Sequence, residues 1–169
     1  MLETVQGFVT WLSETPLSLL IQNVAWIIPL TQTVHICCIA IVMAAMALID
    51  FRLLGLGGRS QSVSELVTRH LPWVWSALVV LLISGTLLII GEPARSLMNP
   101  GFIVKMAMLV CVIALTLTLQ GTIKRDVAFW ELSPQRRTAA KLMAVVSLVL
   151  LVGIIFAGRW IAYLESYGV

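Results

Sequence analysis

The chain has 169 residues, of which 60% are hydrophobic and only 11% charged, with a net charge of +3. Soluble domains carry about 25% charged residues because they need a polar shell. This composition therefore excludes an ordinary water-soluble fold and makes lipid the solvent over much of the surface. No nucleic-acid partner is expected, because the basic residues gather at loops and at a helix start, as on one face of a membrane protein.

In chain order, Leu2, Val5, Phe8, Val9 and Leu12 recur at helical spacing with Trp11 beside them. That pattern predicts a short amphipathic helix over residues 2–13, lying on the membrane surface. No Lys or Arg occurs in the first 15 residues, so a signal peptide is not expected. Pro16 and Pro29 then predict an interfacial approach over residues 16–25.

A bilayer core of about 30 Å takes about 20 apolar residues to cross as a helix. Four stretches meet that length, over residues 26–50, 71–91, 102–123 and 138–163. Gly55, Gly57 and Gly58 close the first span. Ser62 and Glu65 have capping-box spacing for a short helix leading to Pro72. Residues 92–100, with two prolines and an asparagine, predict a tight turn. Ser133-Pro134 starts the fourth helix with proline at a favoured first-turn position.

The expected fold class is thus all-α. It is an integral membrane four-helix bundle with a short N-terminal interfacial amphipathic helix, making one membrane domain over residues 1–169. Small residues at helix-contact spacing mark candidate seams: Ala40 with Ala44, Ala140 with Ala144, and Gly153 with Ala157.

Alternating spans place loops 51–70 and 124–141 on one side. Eight of the eleven Lys and Arg residues lie there, against Arg95, Lys105 and Arg159 on the other. The positive-inside rule makes the richer side cytoplasmic and puts both termini outside, in a multi-pass protein of a bacterial inner membrane. Trp26, Trp160 and Tyr163 then sit at the outer interface, with Trp73 and Trp75 at the inner one.

Polar groups inside a span are costly, which makes each one a candidate for function. At about 100° per residue, Gln32, His35, Cys38, Met46 and Asp50 share one broad face of the first span. Lys105, Met108, Thr116 and Gln120 share one face of the third. His35 lies nine residues past Trp26, about 13 Å below the outer end. His35, Cys38, Lys105 and Met108 can therefore share the outer half of the bundle. His35 with Met108 is a candidate ligand set for haem iron, and His35 with Cys38 for copper. Against these stands a buried, hydrogen-bonded histidine with methionine as core filler. Lys105 is expected to snorkel to the headgroups.

His70 begins the second span at the opposite end, about 22 Å from His35 along the axis, so the two are not expected to share one iron. Asp50 is expected in an ion pair with Arg52, Arg69 or Lys124. Cys37, Cys38 and Cys111 read as small hydrophobes. No hydrolase triad, phosphate loop or zinc motif is present, so independent catalytic activity is not expected.

The series Asp50-Phe51-Arg52-Leu53-Leu54-Gly55-Leu56, Leu71-Pro72-Trp73, Gly85, Glu92-Pro93-Ala94-Arg95, Asn99-Pro100 and Phe102 with Lys105 has a further use. With a histidine in the first span, it resembles an uncharacterised family of small bacterial four-helix membrane proteins. That family is distantly similar to the copper-resistance D proteins and to b-type cytochrome membrane domains. The resemblance implies a recurring histidine at the His35 position. It implies no clear counterpart of His70, and small or apolar residues where this chain has Cys37 and Cys38.

Three functional expectations follow. The first is a redox-associated subunit binding haem b through His35. The second is a cofactor-free structural or assembly subunit. The third is a copper-handling membrane protein using His35, Cys38 and methionines. The expected partners are the lipid bilayer and either further copies of the chain or a larger membrane complex. If His35 is simply hydrogen-bonded to a neighbouring helix, the second expectation gains.

Overall fold

The structure is a computed structural model and describes residues 2–56, 62–126 and 133–164, with backbone alone for residue 2 and residues 162–164. Seven helices follow one another: α1 (Leu2–Ser13), α2 (Pro16–Asn23), α3 (Ile27–Leu54), α4 (Val63–Gly91), α5 (Pro93–Leu97), α6 (Pro100–Arg125) and α7 (Pro134–Leu164). Four of them, α3, α4, α6 and α7, are long and apolar enough to cross a membrane. The protein is a multi-pass, all-α membrane protein with four spans.

Local chemistry sets the helix ends. Thr15 accepts from the Ser18 amide at the start of α2, and Pro16 occupies the first helical position. Ser62 and Glu65 close a reciprocal capping box at the start of α4. The Asn99 side chain accepts from the Gly101 amide at the start of α6, and Ser133 accepts from the Arg136 amide at the start of α7. Gly55 ends α3 in the left-handed region, with φ 81°, a conformation that costs glycine nothing. Gly57 and Gly58 lie outside the described residues.

Two local expectations are corrected. The segment from Ser62 to Pro72 is not a separate helix, because α4 runs unbroken through Pro72. Proline is common in membrane helices, where neighbouring groups satisfy the backbone it frees. The connection 92–100 is not a bare turn: it holds α5, anchored by the Arg95–Glu92 ion pair at 2.7 Å.

In space the spans pack in the order α4, α3, α7, α6, with α3 and α7 at the centre. The core is made by Val42, Ala45, Met46 and Ile49 of α3, Leu71 and Val74 of α4, Val112 and Leu119 of α6, and Ala140, Ala144 and Leu151 of α7, among others. The small helices gather at one end. There α1 packs on α5 and α2 packs on α4. We call this the cap end, and the opposite end, with loops 51–70 and 124–141, the basic end.

Small residues set the close approaches. Ala140 and Ala144 are buried. Met108 of α6 fills the notch left by Gly153: a Cβ there would meet its sulfur at 2.8 Å. Gly101 approaches the Ala157 carbonyl in the same seam. Ala40 and Ala44, by contrast, face outward and form no seam. Trp26, Trp73 and Trp160 are exposed, whereas Trp75 turns toward the core. The Tyr163 side chain lies outside the described residues.

Candidate functional site

The polar side chains inside the bundle fall into two groups, one in each half. The cap-end group centres on His35, which is half-buried on α3. Its Nδ1 lies 2.8 Å from Ser84 Oγ on α4. The Ser84 hydroxyl donates to the Val80 carbonyl one turn back, at 2.7 Å. A hydroxyl has one hydrogen, so with that hydrogen on the Val80 carbonyl Ser84 Oγ accepts from His35 Nδ1–H. In that tautomer the lone pair lies on Nε2. Gly85 brings α4 close to the imidazole: a Cβ there would touch His35 Cε1 at 3.5 Å.

The other predicted members are placed as follows. Lys105 reaches toward α7, its Nζ 3.9 Å from where a Cβ on Gly158 would sit, and is within electrostatic range of His35. Met108 lies against Gly153 in the α6–α7 seam. Cys38 sits one turn from His35 on α3, buried in the apolar core, whereas Cys37 and Cys111 face outward. Gln32 and Gln120 are half-buried. So His35, Lys105 and Met108 share the cap-end half, but His35 and Met108 engage different neighbours.

His70 is remote. Its Nδ1–H donates to the Leu66 carbonyl on its own helix, 2.9 Å away. It lies 14 residues from Ser84, about 21 Å along α4. One iron cannot take both histidines of a single chain.

The basic-end group centres on Asp50. Its side chain is 2% exposed, and it forms no ion pair among the described residues. The expected pairing with Arg52, Arg69 or Lys124 is not found there. The α3 face that carries Asp50 turns inward, toward α6 and α7. Asp50 borders a water-sized void of about 10 Å³ with Met46, Thr116, Leu119, Met143 and Ser147. Ser147 Oγ comes near enough for its dipole to act on the carboxyl, but no hydrogen bond of proper geometry closes. Asp50 Oδ2 and Ser147 Oγ are both buried without a partner. Thr116 donates to the Val112 carbonyl at 2.8 Å and touches the Met46 sulfur at 3.9 Å.

Sequence reasoning missed both serines. A serine in an apolar helix usually reads as a small filler that bonds its own backbone. The available signal was depth: Ser84, seven residues from the end of α4, matches His35, eight residues into α3.

Among the described residues, no three His, Cys, Asp or Glu side chains gather in a way that could hold a metal ion. The chain belongs to a family of unknown function (DUF6644), which it matches over residues 9–164. No curated protein matches it. No solved structure matches it.

Proposed function

We propose that this four-span family member is a structural or assembly subunit of a larger membrane complex, working without a cofactor of its own. The observation that carries this reading is the His35–Ser84 bond. The one histidine deep in a span is spent on holding α3 to α4. Interhelical bonds of this kind tie membrane helices together at about 0.6 kcal/mol each. Met108, the expected second ligand, is likewise spent on packing. The faces left outward are broad and apolar on every span, with Ile36, Leu82, Val110 and Phe156 among the most exposed side chains. They offer packing surface to lipid and to other membrane helices.

The test is extraction in mild detergent, followed by mass measurement and a visible absorption spectrum. The expected result is a colourless particle larger than the 18.5 kDa chain. A lone monomer sinks the assembly reading, and a Soret band sinks the cofactor-free one.

A second reading starts from the same bond: with the proton on Nδ1, His35 keeps a lone pair on Nε2. Ligating histidines commonly donate their other ring N–H to a fixed acceptor, as His35 does to Ser84. His35 would hold a haem b through Nε2. Met108 lies against Gly153 instead, so the second ligand would come from His35 of a second copy. The haem would supply one-electron chemistry, and the chain would supply orientation through Ser84. On this reading His35→Ala removes the Soret band and His70→Ala leaves it. Copper is the weaker form of the same reading, because Cys38 sits in the apolar core.

The basic asymmetry supports an inner-membrane setting with the basic end in the cytoplasm and both termini outside. A reporter fused after Val169 that is active only in the cytoplasm should stay silent.

A further inference from the structure

We propose that Asp50, Ser147 and Thr116 form a binding site for one small monovalent cation of Na⁺ type, held between α3, α6 and α7 near the basic end. Three observations converge. First, Asp50 is a carboxyl buried in the bundle with an oxygen that no group in the described chain satisfies. A buried carboxylate without a countercharge is far more costly than a buried hydroxyl, so this carboxyl is matched either by a proton or by a cation. Among the described residues, no Lys, Arg or His side chain and no other acid lines the void.

Second, the hydroxyls differ in how they are used. Among the described residues, four hydroxyl side chains are buried: Ser18, Ser84, Thr116 and Ser147. The first three donate to backbone carbonyls. Ser147 does not, and its oxygen lies buried beside the carboxyl. Thr116 donates backward to Val112 and borders the void, and its hydroxyl oxygen keeps lone pairs to offer. One carboxylate and two hydroxyl oxygens make a hard donor set.

Third, the void is water-sized, about 10 Å³, on the scale of one small ion. Its single acidic group balances one positive charge, so a divalent ion would leave a buried charge unpaired. A water alone completes the hydrogen bonds of the protonated carboxyl only; the ionised form needs the cation. Asp50 lies four residues from the end of α3, about 6 Å along the axis, which places the site within reach of the aqueous phase at the basic end. The neighbouring sulfurs of Met46 and Met143 are soft and add little for such an ion.

The test is thermal unfolding of the full chain in mild detergent. NaCl, KCl and choline chloride are exchanged at constant ionic strength. A ligand that binds only the folded state raises the midpoint in a saturable way. Wild type should respond to NaCl, respond weakly to KCl, and not respond to choline chloride. Asp50→Asn should lose the response to NaCl. Ser147→Ala and Thr116→Val keep the carboxylate and should each raise the Na⁺ concentration for half-effect about tenfold, the usual cost of losing one supporting group. The proposal is overturned if NaCl and choline chloride act alike on wild type, or if Asp50→Asn keeps the Na⁺ response. If Asp50→Asn fails to fold, an unchanged half-effect concentration in both hydroxyl variants overturns it equally.

Discussion

The two halves of the bundle treat buried polarity in opposite ways. At the cap end, His35 Nδ1–H, Ser84 Oγ and the Val80 carbonyl form a closed relay in which every donor has an acceptor. At the basic end, Asp50 Oδ2 and Ser147 Oγ border one void, each buried without a hydrogen-bond partner among the described residues. The first arrangement is complete within one chain and works as a clamp between helices. The second is complete only with something added. A polar residue inside a membrane bundle is therefore not one category. What separates structure from binding is whether the chain itself supplies the partner.

This contrast predicts mutations of opposite sign. The largest effect belongs to Asp50→Asn measured in choline chloride. Removing the uncompensated charge should stabilise the protein by about 2 kcal/mol, seen as a higher unfolding midpoint. A fall of similar size would place the two halves in the same class.

Ser84→Ala comes next and should destabilise by about 1–2 kcal/mol, because it leaves the His35 N–H without an acceptor. His35→Leu should cost less, about 0.6 kcal/mol, the typical worth of an interhelical bond in a membrane. The Ser84 hydroxyl keeps its Val80 acceptor in that variant. The smallest effect is the extra cost of Ser84→Ala once His35→Leu is present, which should approach zero. Equal costs of Ser84→Ala in both backgrounds would mean that the relay is not a unit.

The four spans were legible because length and hydropathy suffice to mark them, and so were the capping box at Ser62–Glu65 and the proline start at Ser133-Pro134. Which way a span faces was less legible. On α3 nearly every residue is apolar, so periodicity cannot separate an interior face from a lipid face, and Ala40 and Ala44 turned outward for that reason. The polar stripe through His35, Cys38, Met46 and Asp50 did mark the more buried side of α3. Its partners were missed because Ser84 and Ser147 are single hydroxyls in long apolar runs. Their importance arises only when another helix brings a histidine or a carboxyl to the same depth.

At the cap end, Ser18 of α2 donates to the Ile90 carbonyl at 2.6 Å, joining residues 72 positions apart. Ile21 of the same helix lies where a Cβ on Gly91 would come within 2.7 Å. So α2 docks on a surface that does not exist until α4 is finished. At 5–20 residues per second of synthesis, α2 leaves the ribosome about 4–14 s before its acceptor does. This helix must therefore wait for its acceptor at the membrane surface while α3 and α4 are inserted behind it. Its short apolar helix, capped by Thr15 and Pro16, is suited to that wait.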